Sequence, residues 1–208
     1  MHIRKVLTLI LFTLILVCGS VQAQTAQTET KDDGTNLDTQ LFLIVGTNQD
    51  VVDSKLPATL DPVLKQLRAT LPFRNYRLAA TLINRVKNEG RLDLSWIGGP
   101  FATNIATSSV TMPSFSQFKI RQVKLVRGSD GQQVVQMDGF NFGVRVPIQV
   151  SGAIAANGAI APTINYESTG VATDISMREG EPVVVGTLNV GPSGDAIILV
   201  VSAKRTTK

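Results

Sequence analysis

Residues 139–150 read GFNFGVRVPIQV and alternate between apolar and small or polar side chains. The apolar positions are Phe140, Phe142, Val144, Val146, Ile148 and Val150. A period of two is typical of a β-strand with one apolar and one solvated face. The apolar face could press on a protein core, a lipid bilayer or a partner, and we predict a soluble core, with Arg145 and Gln149 facing water. Pro147 has no N–H, so it favours a sheet edge, a bulge or a strand end.

The same period of two recurs along much of the chain around short turns that contain glycine. Adjacent amphipathic runs around such turns are typical of β-hairpins. Four hairpins are predicted, which join 76–83 to 92–96, 117–126 to a strand from 132, 171–177 to 183–190, and 183–190 to 196–203. The chain is therefore expected to be mainly antiparallel β, as a sandwich of hairpins.

Three segments depart from this alternation. Residues 40–46 (QLFLIVG) and 196–203 (AIILVVSA) are apolar at both parities, which favours strands buried on both faces. An apolar stripe with a spacing of three and four predicts one amphipathic helix near 60–71, formed by Leu60, Val63, Leu64, Leu67 and Leu71. Pro57 is expected to open the helix, with Asp61 or Thr59 as N-cap, and Pro72 to end it. The predicted fold class is α+β.

The N-terminal residues predict export. Arg4 and Lys5 precede an apolar run at 6–17, and 21–23 (VQA) places small residues before a cut at Gln24, as in a secretory signal peptide. The apolar run has about 12 residues, whereas a spanning helix needs about 20. An uncleaved anchor and lipidation at Cys18 are the alternatives. We expect a periplasmic or extracellular protein with no transmembrane span in its mature chain.

Composition divides the chain further. The predicted segments are 1–23 signal peptide, 24–38 flexible polar tether, 39–98 strand–helix–hairpin unit, 99–116 loop, 117–203 antiparallel β region and 204–208 tail. Residues 151–163, rich in glycine and alanine, are predicted to form a second long loop.

The predicted mature chain lacks the usual nucleophilic and zinc-binding side chains. His2 and Cys18, the one histidine and the one cysteine, lie within the predicted signal peptide. The mature chain would therefore offer no Cys–His or Ser–His pair. We assign no catalytic, metal-binding or cofactor-binding residue and expect no cofactor. Paired carboxylates remain the alternative for catalysis, and the candidates are Asp93, Asp138, Glu167, Asp174, Glu179 and Glu181.

Charge gives a weak indication of partners. The full chain carries a net charge of +4, and without Arg4 and Lys5 the balance is 18 basic against 16 acidic residues, or +2. The densest basic stretch, KIRQVKLVR at 119–127, is typical of a solvated or edge strand. It is too sparse to predict nucleic-acid binding. The candidate surface for a partner or ligand comprises Trp96, Lys119, Arg121 and Arg145.

Residues 177–205, MREGEPVVVGTLNVGPSGDAIILVVSAKR, resemble a stretch of the bacterial secretins, the ring-forming outer-membrane channels. The matching pieces are the turn at 179–180, the valine-rich strand at 183–188 and the apolar strand at 197–201. Secretins carry a longer lip segment where this chain has only 189–195. The resemblance implies a role in envelope assembly and transfers no site residue.

These observations together predict an exported, non-catalytic bacterial envelope protein that binds or scaffolds a partner, which we expect to be another envelope protein. One alternative is a module that binds carbohydrate or a small ligand through Trp96 and nearby polar groups. The other is an enzyme that acts on glycans through carboxylates.

Overall fold

A computed structural model describes residues 34–50, 56–99, 103–104, 111–154, 160–189 and 194–206. The predicted signal peptide and most of the predicted tether lie outside these residues, so export and cleavage stay predictions. The first strand already begins at Asn36, and the last continues to Arg205. The strands at both ends therefore extend beyond the limits of 39 and 203 expected from the sequence.

Four antiparallel strands form the first sheet, sheet A. They are β1 (Asn36–Thr47), β2 (Asn75–Lys87), β10 (Val183–Asn189) and β11 (Ala196–Arg205), in the order β10–β11–β1–β2. The two inner strands, β1 and β11, are the continuous apolar runs of the sequence. Both are buried on both faces, as predicted.

One helix, α1 (Asp61–Thr70), packs on one face of sheet A after a 3₁₀ turn at Ala58–Leu60. The core on this side contains Leu60, Val63, Leu64 and Leu67 from the helical segment and Phe42, Ile44, Ile198 and Val200 from the sheet. The predicted N-cap is wrong, because Leu60 occupies that position without a side-chain cap. The 3₁₀ turn leads directly into the helix, so this residue keeps helical backbone angles instead of the extended ones a capping side chain needs. The helix ends before Pro72, with Leu71 extended.

The second sheet, sheet B, is built around one long strand. Its members are β3 (Leu92–Ile97), β6 (Phe115–Ile120), β7 (Gln122–Arg127), β8 (Gln133–Ile154) and β9 (Ile160–Arg178). β8 pairs with β9 along most of its length, while β7 and then β6 pair with successive parts of β8, and β3 pairs with β6. Two short strands, β4 (Thr103–Asn104) and β5 (Thr111–Met112), pair with each other.

The main core lies between the two sheets. It includes Leu41, Leu43, Leu199 and Val201 from sheet A and Phe118, Phe140, Phe142 and Val144 from sheet B. Arg145, on the other face of β8, is exposed. The apolar face of the 139–150 stretch therefore faces a protein core through Val146, as predicted. The fold is α+β, mainly antiparallel β in a sandwich of two sheets, and this confirms the predicted class.

Two of the four predicted hairpins are wrong. β2 pairs with β1 and β3 with β6, so the turn at 88–90 crosses from one sheet to the other. The turn after β9 likewise leads from sheet B to sheet A. Alternation reports that a strand has one buried face, but not which strand lies beside it. The β7–β8 and β10–β11 hairpins are confirmed.

The predicted loop at 151–163 is also wrong over most of its length. β8 continues to Ile154 and β9 begins at Ile160, with Gly152 paired to Pro162. Glycine and alanine have low intrinsic strand preference, but a neighbouring strand supplies the backbone partners that override it. The predicted loop at 99–116 contains β4, β5 and the first residues of β6.

Candidate interaction site

The β8–β9 pair continues past the rest of sheet B as a two-stranded ribbon. The last pair between β6 and β8 is Phe115 with Arg145. Beyond it, β8 pairs among the described strands with β9 alone. We call this ribbon, residues 146–154 and 160–167, the arm. Nine strand residues at about 3.3 Å each give the arm a length of about 30 Å.

The arm has an unusual composition. Residues 146–166 contain no Asp, Glu, Lys or Arg, although charged residues make up 17% of the whole chain. Ile148 shares the parity of the buried Val146 but is 38% exposed. Edge strands of soluble proteins usually carry charges that prevent unwanted pairing. Within 146–166 only Pro147 and Pro162 lack a backbone N–H donor. The arm is therefore uncharged up to Tyr166, and among the described strands nothing pairs with its edge along β8.

Tyr166 fixes the base of the arm. It lies opposite Pro147 in the β8–β9 register, and Pro147 is buried. The Tyr166 hydroxyl donates a hydrogen bond to the carbonyl oxygen of Pro113 at 3.1 Å. The Tyr166 ring centre lies 5.5 Å from that of Phe115, and the Arg145 guanidinium carbon lies 5.9 Å from the Tyr166 ring centre. These contacts tie β9 to the segment that leads into β6, so the base of the arm is held by side chains as well as by the ladder.

The outer face of sheet B, away from sheet A, carries two neighbouring grooves. One has a volume of about 600 Å³ and is lined in part by Lys119, Arg121 and Asn141. The other has a volume of about 400 Å³ and is lined in part by Gly143 and Arg145. Both grooves are also lined by Gln117. We call the two grooves together the outer trough, and its lining includes Gln117, Lys119, Arg121, Asn141, Gly143 and Arg145.

Three of the four candidate surface residues therefore come together, and the fourth does not. Lys119, Arg121 and Arg145 line the outer trough. Trp96 is half-buried and packs against the core between the sheets, where its ring centre lies 6.4 Å from that of Phe142. Trp96 has the parity of the core-facing Leu92 and Leu94, which is the sequence signal that places it on the inner face.

The candidate carboxylates mostly contact basic groups or backbone. Asp93 pairs with Lys119 at 3.0 Å, Asp138 lies 3.8 Å from Lys124, and Glu179 pairs with Arg205 at 3.0 Å. Asp174 accepts a hydrogen bond from the backbone N–H of Gly139 at 2.5 Å, while Glu167 and Glu181 are exposed. Within the described part of the chain, no three His, Cys, Asp or Glu side chains are grouped so that they could hold a metal ion.

Glu179 has the clearest electrostatic role. It sits in the turn between β9 and β10 and accepts hydrogen bonds from both the guanidinium and the backbone N–H of Arg205, at 3.0 and 2.8 Å. The hydrogen bond from the guanidinium holds the pKa of the Glu179 carboxyl below its usual value. This pair joins the turn that crosses between the sheets to the end of β11.

Comparisons with known proteins find similar chains among solved structures. No protein-family model matches this sequence, and no curated protein matches it. The solved structures include the secretin InvG of the Salmonella SPI-1 type III secretion injectisome, at 10% identity and a TM-score of 0.34 over 84% of this chain. PulD in the Klebsiella pneumoniae type II secretion outer membrane complex matches at 11% identity and a TM-score of 0.34. The V. cholerae competence pilus secretin PilQ matches at 10% identity and a TM-score of 0.32. Each of these matches covers 84% of this chain.

Secretins, the class that residues 177–205 resemble in sequence, are thus among the solved structures that match. The chain spans 65% of the InvG chain, 39% of the PulD chain and 58% of the PilQ chain. In the part of the chain that the structure describes, no helix combines the length and apolar composition required to cross a membrane.

Proposed function

We propose that this protein is an exported, non-catalytic component of a bacterial envelope assembly and that it docks onto a partner protein through the arm. The observation that supports this most directly is the charge-free stretch at 146–166, whose described strands pair with each other and with no other described strand. An uncharged edge in contact with water invites association, so a stable exported protein needs a partner to cover it.

Strand addition is the binding mode that suits the arm. A partner strand can pair with the free edge of β8, where backbone groups give affinity and alternate side chains give specificity. Pro147 removes one donor at the start of this edge and thereby marks where pairing with a new strand begins. Ile148, exposed just beyond it, is the first apolar side chain available to that partner.

Export rests on the sequence. Arg4, Lys5, the apolar run at 6–17 and the small residues at 21–23 form the pattern of a secretory signal. A periplasmic or extracellular location would bring the arm into contact with envelope proteins. N-terminal sequencing of the protein from an envelope fraction tests this step, with a mature start at Gln24 as the expected result. A start at Met1 would contradict export, and an acylated start at Cys18 would indicate a lipoprotein.

Shortening the arm tests the docking step. In the truncated variant, an Asn-Gly turn replaces residues 149–164 and connects Ile148 to Asn165, which lie opposite each other in the register. The full chain and the truncated variant are crosslinked mildly in native envelopes, purified and analysed by mass spectrometry. We expect the truncated variant to keep its circular dichroism spectrum and lose its envelope protein partner.

A matched pair of point variants controls for surface changes. Ile148→Asp places a charge on the arm, and Ile83→Asp places the same charge on β2 of sheet A, where Ile83 is 68% exposed. Docking through the arm predicts that only Ile148→Asp weakens co-purification. If both variants retain the partner, or if the truncated variant does, the arm is not the docking site.

A further inference from the structure

Three arginines border the outer face of sheet B with no acidic partner among the described residues. Arg91, Arg121 and Arg145 form no ion pair with any residue in the described ranges, whereas Lys119 on the same face is paired with Asp93. The guanidinium carbon of Arg145 lies over the Tyr166 ring, 5.9 Å from its centre, and among the described residues no acceptor engages the Arg145 N–H groups. A guanidinium offers N–H donors in a planar fork that matches a carboxylate with two parallel hydrogen bonds.

A bulge in β8 places Arg121 at the outer trough. The β8–β9 register shifts between Met137 and Phe140, and Gly139 within the bulge has φ +63°. A Cβ at position 139 would lie 2.9 Å from the Cβ of Arg121, so only glycine leaves Arg121 its place. Bulges often redirect side chains beside binding sites. The backbone N–H of Gly139 is held by Asp174, which fixes the bulge itself.

The floor of the trough is open. A Cβ built at Gly143 meets no atom within 4 Å, and Gly143 lies opposite Gly170 in the register. The amide side chains of Gln117 and Asn141 are exposed beside this floor. Along β8, Asn141 and Arg145 are four residues and thus about 13 Å apart. The trough therefore presents cations spaced along a flat, polar surface.

We propose that the outer trough binds an acidic glycan, whose carboxylates contact Arg121 and Arg145 and whose hydroxyl groups contact Gln117 and Asn141. Amide side chains both donate and accept hydrogen bonds, as sugar hydroxyls require. Phe115, 40% exposed beside Arg145, offers an aromatic surface to the C–H face of a sugar ring. This site adjoins the base of the arm, where Arg145 and Phe115 contact Tyr166, but it does not depend on the docking proposal.

The other anionic polymers fit less well. An extended peptide binds mainly through the backbone at a sheet edge, but β6 and β8 pair with each other beneath the trough. Nucleic acid requires a denser basic surface, whereas Asp93 and Asp138 lie among the cations of this face. A uronate polymer, with one negative charge on each sugar, matches cations that are spaced apart.

Isothermal titration calorimetry with the purified full chain tests this assignment. The probes are oligogalacturonate, an uncharged galactan oligomer and poly-glutamate of similar length. We expect oligogalacturonate to bind and the uncharged oligomer not to bind. The double variant Arg121→Gln/Arg145→Gln should lower the affinity at least about tenfold, because it removes charge-assisted hydrogen bonds. Arg127→Gln, at an exposed arginine of β7 outside the trough, should leave the affinity unchanged.

A steric variant and the truncated arm complete the test. Gly143→Leu should block binding by filling the floor of the trough, with the thermal unfolding curve as a control for folding. The arm-truncated variant should bind oligogalacturonate as the unaltered chain does, so a failure of docking and a failure of glycan binding are seen separately. Absent binding, equal binding to poly-glutamate, or full affinity of the double arginine variant would each overturn the proposal.

Discussion

The inner strands of sheet A and the long strand β8 of sheet B differ in how many of their faces are covered. In β11, the neighbours Ile198 and Leu199 are both fully buried, one under α1 and the other between the sheets. In β8, Phe142 is buried. On the other face of the strand, Asn141 and Arg145 are exposed and Gly143 is half-buried. A strand covered twice is apolar throughout, whereas a strand covered once alternates.

The arm differs from both of these kinds of strand. It continues the strands of sheet B, and Ile148 is exposed where Val146 is still buried. A charged surface would be expected there if water were the permanent neighbour. The absence of charge from 146–166 is therefore what distinguishes the arm from the solvated strands of the same sheet.

The largest expected effect comes from a charge on the covered face of β8. Val144→Asp should prevent folding, because it places an unpaired carboxylate in the core between the sheets. Native domains have only about 5–15 kcal/mol of stability to lose. Arg145→Asp, one residue further on the exposed face, is the matched control and should fold normally. Circular dichroism and urea unfolding would show this, and a normally folded Val144→Asp would place this face at a partner instead of the core.

Alanine substitutions should separate the two kinds of strand. Ile198→Ala and Leu199→Ala should each lower the free energy of unfolding by about 2–5 kcal/mol, because shortening either buried side chain leaves a cavity. In β8, Phe142→Ala should cost about 3–5 kcal/mol, but Asn141→Ala should change stability by at most about 0.5 kcal/mol. Urea unfolding measures all four. Equal costs at Phe142 and Asn141 would contradict the single covered face of β8.

A smaller effect is expected at the base of the arm. Tyr166→Phe should lower stability by about 0.5–1.5 kcal/mol, because it removes the hydrogen bond to Pro113. Tyr76→Phe removes a similar bond, from the Tyr76 hydroxyl to the carbonyl oxygen of Leu67, and serves as the control in sheet A. Only Tyr166→Phe should speed hydrogen exchange in residues 164–167. Unchanged exchange there would show that the backbone ladder alone holds the arm.

The smallest effect concerns pH. Because the Arg205 guanidinium lowers the pKa of Glu179 in the folded protein, the pair contributes stability above the usual glutamate pKa of about 4.3. That contribution is lost as the pH falls through the lowered pKa of the folded state. Glu179→Gln should therefore weaken the acid dependence of stability, measured by urea unfolding between pH 7 and pH 3. The same acid dependence in both proteins would contradict this role.

Local pattern predicts the elements better than their partners. Burial determines three patterns that can be seen directly in the sequence. These are the apolar stripe of the helix, the two continuous apolar strands and the alternation at 139–146. The partner of β3 is not recorded in this way, because β2 and β3 alternate as a hairpin would and yet enter different sheets. At 151–163, the paired strands override the turn-like composition.

The candidate site shows the same limit. Lys119 and Arg145 lie on the same face of one sheet because β6 pairs with β8, which no local spacing indicates. The contact of Tyr166 with Pro113 joins residues 53 positions apart and was likewise missed. The charge-free run at 146–166 is visible in the sequence and needs only a count of charges, whereas its pairing as a two-stranded ribbon needs the fold.

Site-specific photocrosslinking tests the central claim, docking through the arm, most directly. A benzophenone amino acid replaces Ile148 in one variant and Ile83 in another, and both proteins are irradiated in native envelopes. Docking through the arm predicts one discrete crosslinked envelope protein from position 148 and none from position 83. No adduct from position 148, or the same adduct from both positions, would contradict it.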